Sequence, residues 1–300
     1  MHWLSVFLSL VLSWHHQLYE PAFPKLPIVT KLSEPLPLTL TVPTEASSSP
    51  PLLQAKSYLL LDEQSGEVLV SKDSDTRLFP ASTTKIMTAL VVLNHFPLES
   101  VASVSGSPRA DGSQMGLVSG EQITIKDLLA GLLIQSANDA ALVLAAQYPG
   151  GQTAFIKEMN VMAQKLGLVN TFYTNPIGYS EPGHVTTVRD LVILSKEAMK
   201  NPEFASLVKT QQLTVYSVDG TKIHPLRTTN ELLGVLPGID GIKTGWTEES
   251  GECLVVSTTR NGRTLYSAVL NSPNRFKETT ELIEWGYQSS TAVTKPLFEW

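Results

Sequence analysis

Cysteine is nearly absent from this chain of 300 residues: Cys253 stands alone, so no internal disulfide can form. It sits in the apolar string Cys253-Leu254-Val255-Val256, the pattern of a buried strand, where a thiol packs as a small core side chain. An excess of positive charge is also missing. Lys and Arg number 22 against 28 Asp and Glu, giving a net charge of −6, and no basic stripe offers itself to nucleic acid. The six histidines are scattered, without His-Glu-x-x-His or any other ligand spacing. His184 and His224 fall in stretches that read as polar loops, and structural or surface roles are expected for them. Neither metal nor cofactor is called for. No internal repeat is visible. The apolar run Leu4 to Trp14 is too short for an ordinary membrane span.

What remains is an ordinary globular composition, 42% apolar with mean hydropathy near zero, in a chain long enough for one large or two small domains. Residues 1–17 suit a signal-peptide core. No Lys or Arg precedes that run and no Ala-x-Ala follows it, so an uncleaved membrane anchor is the other reading. Export to the outer face of the cytoplasmic membrane or the periplasm is expected, with membrane association through this segment. Residues 18–55 hold eight prolines between Pro21 and Pro51 and end in Ser47-Ser48-Ser49-Pro50-Pro51. Such a stretch propagates neither helix nor ladder and reads as an extended linker. A folded domain is expected over 56–290, then a tail over 291–300.

Three short strings carry the chemistry: Ser82-Thr83-Thr84-Lys85, Ser136-Ala137-Asn138 and Lys243-Thr244-Gly245. Pro80 precedes an apolar run with helical character, so a helix starting near Ser82 would stack Lys85 on the same face. A serine hydroxyl is a weak nucleophile until a base takes its proton. Lysine can be that base only when neutral, which burial and a second cation such as Lys243 would favour. Ser136 and Asn138 lie between two apolar helical segments. They can relay a proton and bind a substrate carbonyl, or simply cap the following helix. Gly238 to Thr247 alternates like a strand whose glycines permit close approach. Its Lys243 and Thr244 can hold a carboxylate, and the Trp246 and Ser82 N–H groups can hold an oxyanion. The set equips a protein for acyl transfer through a serine ester. Two decoys are present, Ser206-Leu207-Val208-Lys209 and Ser272-Pro273-Asn274, but Ser206 breaks the expected order of the strings.

Strands are expected at 57–61 and 67–71 as a hairpin, and again at 210–217, 241–245, 252–259 and 264–270. Helices are expected at 83–95, 126–134, 138–147, 152–166 and 187–200. Strands at both ends with helices between predict an α+β fold. One antiparallel sheet would be built from both ends of the domain, with a helical subdomain inserted and the site at their junction.

Longer strings make the resemblance specific. Phe79 to Leu90, Met115-Gly116-Leu117, Ser136 to Ala141, Asn175-Pro176-Ile177-Gly178, Gly183-His184, Thr187 to Leu191 and Asp240 to Thr247 together resemble a serine D-alanyl-D-alanine carboxypeptidase. Members are low-molecular-mass penicillin-binding proteins with a β-lactamase/transpeptidase-like fold, and the motif set is shared with class A β-lactamases. The resemblance spans about Ser57 to Tyr287. It implies that Ser82 is acylated by peptidoglycan stem peptides ending in D-alanyl-D-alanine, with Lys85 as base and Ser136 assisting. Asn138, Lys243, Thr244, Gly245 and Trp246 would bind the substrate, with Arg275 as a candidate for its terminal carboxylate. β-Lactam antibiotics would acylate the same serine. A DD-endopeptidase or a class A-like β-lactamase is the alternative, the latter needing a deacylating glutamate such as Glu158 or Glu181. Many members add a β-rich domain and a membrane helix, in whose place a short tail is expected here.

Overall fold

The computed structural model describes residues 49–289 apart from 107 and 109. The expected signal or anchor segment, most of the linker and the tail lie outside the described residues. Among those described, no helix is long and apolar enough to cross a membrane.

A five-stranded antiparallel sheet runs β2-β1-β9-β8-β7, with β1 Ser57–Asp62, β2 Val68–Lys72, β7 Ile239–Thr247, β8 Gly251–Arg260 and β9 Arg263–Ser272. The two ends of the domain meet where β1 pairs with β9, Ser57 opposite Leu270 and Leu61 opposite Tyr266. The sheet is covered on both faces, which explains why its central strands read as continuous apolar runs rather than alternating ones. Period-two geometry still sorts the side chains. Tyr58, Leu60, Leu254, Val256 and Val269 face one layer, while Leu59, Cys253, Val255 and Ala268 face the other. Gly262 turns β8 into β9 with φ +78, as the Asn261-Gly262 pair predicts.

The first layer is closed by α7, Arg275–Gln288, an element not foreseen in the sequence. Its Leu282, Ile283 and Gly286 are buried at helical spacing, and Gly286 lies close against Leu60 and Leu265. Glu278 of α7 is buried and accepts hydrogen bonds from the Gln54 and Ala55 amides and the Ser272 hydroxyl. Leu53 and Ala55 belong to the same core, so packing begins a few residues before Lys56.

The second layer is helical: α1 Lys85–His95, α2 Ile125–Ile134, α3 Asn138–Gln147, α4 Gly151–Lys165, α5 Val188–Met199 and α6 Pro202–Lys209. Thr124 and Thr187 cap α2 and α5, each accepting the N–H of an aspartate three residues on. Two small hairpins complete it, β3 Val101–Ser103 with β4 Gln122–Thr124 and β5 Gln212–Tyr216 with β6 Ile223–Arg227. Of these, α6, β3, β4 and β6 were not foreseen. The fold is the expected α+β arrangement, with the helical part inserted between β2 and β7.

His184 and His224 are not in open polar loops; both are buried. His224 is on β6, its Nδ1 on the Met115 carbonyl and its Nε2 on Glu121. His184 is wedged under the turn that carries Ser82.

Candidate active site

Ser82 lies in a 3₁₀ turn, Ala81–Thr84, that leads into α1. This refines the expectation of an α-helical start. In a 3₁₀ turn residues i and i+3 eclipse one another, which sets Lys85 directly against Ser82. The Lys85 Nζ is 2.9 Å from the Ser82 Oγ. The same nitrogen is 2.6 Å from Asn138 Oδ1 and 2.8 Å from the Ile177 carbonyl. A neutral amine has two N–H donors and one lone pair. Two carbonyl oxygens consume the donors, and the lone pair is left for the serine hydroxyl.

Burial favours that neutral form. Lys85 is fully buried, and desolvation holds its pKa well below the ordinary lysine value; the nearby Lys243 charge adds to this, while Asp139 opposes it. Lys243 is buried as well, and desolvation followed by Arg275 brings it down to about 7. Its Nζ donates to the Thr244 carbonyl at 3.1 Å.

Two glycines clamp the main chain at Ser82. A Cβ on Gly178, at φ +100, would lie 2.0 Å from the Ala81 carbonyl oxygen. One on Gly245 would lie 2.9 Å from the Ser82 nitrogen. The loop 175–179 and strand β7 thus press on the turn to a distance only glycine allows. Ala81 at φ +48 and Ser136 at φ +63 adopt left-handed backbone conformations, strain of a kind that concentrates at functional sites.

A cleft of about 720 Å³ opens at the junction of sheet and helices, lined by Ser82, Ser136, Asn138, Thr244, Gly245, Trp246 and Arg275. Lys85 and Lys243 lie buried behind it. All the candidate side chains therefore come together, from the first turn of the helical part, the α2–α3 junction, β7 and the start of α7. Thr244 Oγ1 is 2.6 Å from Thr229 Oγ1. Arg275 donates from Nη1 to the Gly245 carbonyl at 2.8 Å, and its Nε is buried without a protein partner. The Trp246 side chain is exposed at the cleft wall.

Asn138 differs from its expected use. Its Oδ1 accepts from Lys85 and its Nδ2 donates to the Asp111 carbonyl, so it braces the Lys85 amine and the loop beside it. Next to it, the buried Asp139 carboxylate accepts the N–H groups of Met115, Gly116 and Leu117, which pins the chain just after the cleft-lining Asp111, Gly112 and Ser113. Asn175 does the same for the opposite wall, its Oδ1 accepting from Ile177, Gly178 and Tyr179. Nothing local in the sequence marks Asp139, Asn175 or the Ile177 carbonyl for these contacts, which form only in the folded chain.

The two decoys have structural work. Lys209 of α6 is exposed and paired with Asp240, and the Ser206 carbonyl accepts from the Thr210 hydroxyl. Asn274 caps α7 by accepting from the Lys277 N–H, while the Ser272 hydroxyl is held by Glu278.

Comparison with known proteins identifies the family. A family model described as D-alanyl-D-alanine carboxypeptidase matches residues 44–274. The D-alanyl-D-alanine carboxypeptidase DacF of Bacillus subtilis is 33% identical over 255 residues, covering 82% of this chain and 65% of that protein. The chain thus spans just under two thirds of that relative's length. A D-alanyl-D-alanine endopeptidase of Pseudomonas aeruginosa is 36% identical over 266 residues, covering 83% of this chain and 85% of that protein. The crystal structure of the Streptomyces K15 DD-transpeptidase superposes with a TM-score of 0.77 at 33% identity, covering 80% of this chain and 100% of that one. With the match extending over most of its length, and with the three motif strings gathered at one cleft, the chain belongs to the D-alanyl-D-alanine carboxypeptidase family.

Proposed function

We propose that this chain is a serine-type D-alanyl-D-alanine carboxypeptidase that removes the terminal D-alanine from peptidoglycan stem peptides, and that β-lactams trap it. The observation that carries the reading is the fully buried Lys85 amine, 2.9 Å from the Ser82 hydroxyl with carbonyl acceptors on its other sides. The Ser82 Oγ attacks the carbonyl carbon of the penultimate D-alanine, and its proton passes to Lys85. The N–H groups of Ser82 and Trp246 receive the charge that develops on the carbonyl oxygen. As the C–N bond breaks, the proton moves from Lys85 by way of Ser136 to the amine of the departing D-alanine. Lys243, Thr244 and Arg275 hold the terminal carboxylate. Water then attacks the ester, Lys85 takes its proton, and Ser82 is restored.

The same residues suit a DD-endopeptidase, in which the departing amine belongs to a cross-linked peptide; the name of the Pseudomonas relative favours keeping this second reading. The two glutamates considered for a β-lactamase are placed elsewhere. Glu158 is on α4 beside Lys165 and Glu181 accepts from the Thr174 hydroxyl, and neither borders the cleft. The proposed setting is extracytoplasmic, with residues 1–17 as signal or anchor, 18–55 as a spacer toward the wall, and 56–290 as the catalytic domain.

The test is to incubate the purified chain with diacetyl-L-lysyl-D-alanyl-D-alanine, with a cross-linked muropeptide dimer and with benzylpenicillin, and to follow D-alanine release, dimer cleavage and intact mass. Release of D-alanine and a long-lived penicilloyl adduct on Ser82 are expected. Faster cleavage of the dimer would select the endopeptidase, and rapid turnover of penicillin the β-lactamase.

A further inference from the structure

Among the described residues, His184 is the one buried imidazole that contacts both the turn carrying Ser82 and the loop beside it, and it has no part in the chemistry above. Its Nδ1 accepts the Thr174 backbone N–H at 3.0 Å. A backbone amide can only donate, so the ring proton sits on Nε2, which donates to the Thr84 hydroxyl at 2.8 Å. The ring is fully buried, and desolvation lowers it to about 4, so the neutral form persists at ordinary pH.

What it joins matters more than its burial. Thr84 is the last residue of the turn that carries Ser82, directly before Lys85. Thr174 opens the segment that leads through Asn175 to the Ile177 carbonyl, one of the two acceptors on the Lys85 amine. The imidazole therefore bridges the turn bearing Ser82 and the loop that aims the Lys85 lone pair. A second link, from the Thr88 hydroxyl to the Pro176 carbonyl at 2.6 Å, joins the same loop to α1 one helical turn further on.

We propose that His184 is a positioning residue for the Ser82–Lys85 pair: as the Nε2–H tautomer it ties Thr84 to Thr174 and so holds the Ile177 carbonyl against the Lys85 amine. It touches neither substrate nor reacting atom. Its loss lets the loop drift, and the amine then points away from the serine for part of the time. A shift of about 1 Å in such a contact is worth up to about a hundredfold in rate. The inference rests on the acyl-enzyme reading of Ser82.

The experiment measures benzylpenicillin acylation by stopped-flow and intact mass, separating the dissociation constant of the initial complex from the acylation rate constant, for wild type, Thr84→Val, His184→Ala, His184→Gln and the Thr84→Val/His184→Ala double variant. Rates are normalised to folded protein by circular dichroism. Thr84→Val keeps shape and removes only the hydroxyl, so it decides the question even where His184→Ala fails to fold. Expected are an acylation rate constant lowered about tenfold or more in Thr84→Val and His184→Ala, an unchanged initial dissociation constant, no further loss in the double variant, and partial recovery in His184→Gln, whose amide can still donate to Thr84. Acylation rates within twofold of wild type in folded Thr84→Val overturn the proposal, whatever the melting temperature does. A wild type that takes no adduct on Ser82 refutes the acyl-enzyme reading instead, which keeps the two failures apart.

Discussion

Two Ser-x-x-Lys quartets lie in this chain, and only their surroundings separate them. Lys85 is fully enclosed, with two carbonyl oxygens and a serine around its amine. Lys209 is exposed on α6, its amine solvated and engaged by the Asp240 carboxylate. The two Ser-x-Asn strings divide in the same way. Asn138 braces a buried amine from inside the cleft, whereas Asn274 caps a helix. A motif of this size states which atoms are available. Desolvation and the orientation of neighbouring carbonyls decide whether those atoms are reactive.

The sharpest way to break the comparison is at the hydroxyls. Ser82→Ala is expected to abolish the penicilloyl adduct while the protein stays folded, and Ser206→Ala to leave labelling intact; an adduct that survives on Ser82→Ala overturns the assignment. At the amines, Lys85→Ala should slow acylation by a factor of about 10²–10⁴, the range for loss of a general base. Lys209→Ala should stay within about twofold of wild type on the general behaviour of exposed ion pairs, and stopped-flow rates on the two variants decide it. Next come the glycines that press on the turn. Gly178→Ala and Gly245→Ala should each cost about a hundredfold in acylation by displacing Ser82, with Gly178→Ala the worse, because its closer contact is with backbone and its φ is +100. A structure of Gly245→Ala with Ser82 unmoved would count against that account.

A smaller effect concerns pH. The Lys243 amine, at about 7, loses its proton as pH rises through neutrality, and only the charged form attracts a carboxylate. The apparent dissociation constant of a D-alanyl-D-alanine peptide on Ser82→Ala should therefore rise roughly fivefold between pH 7 and pH 8, since the competent fraction falls. Titration calorimetry should find that slope removed in Lys243→Met. Smallest is the cap. Asn274→Ala should cost about 1 kcal/mol of stability by denaturant titration and leave acylation unchanged, whereas Asn138→Ala should slow acylation.

The motif strings, most of the helices and the pairing of the two chain ends into one sheet were legible because each has a local signature in periodicity or side-chain type. The parts that escaped were made of main-chain atoms or of distant fits. The Ile177 carbonyl reaches Lys85 across the fold, and any residue could supply that oxygen. Asp139 looks like a helix-start acid until the three amides it collects are seen. His184 and His224 follow the turn-like strings Glu181-Pro182-Gly183 and Asp219-Gly220, which conceal how deeply each is enclosed. Helix α7 was missed although Leu282, Ile283 and Gly286 fall at helical intervals, because its exposed face is rich in charge.

The pairing of β1 with β9 has a consequence for how the molecule comes into being. Strand β1 emerges early in synthesis, yet its inner neighbour is among the last strands made, and β9 must enter between β1 and β8. Until then β1 has only the β1–β2 hairpin to pair with and presents an open edge. Closing so long a loop is slow in the general relation between topology and rate. A nascent chain cut short of Arg263 would therefore hold every proposed site side chain except Arg275 and still lack the strand that joins the two halves of the sheet.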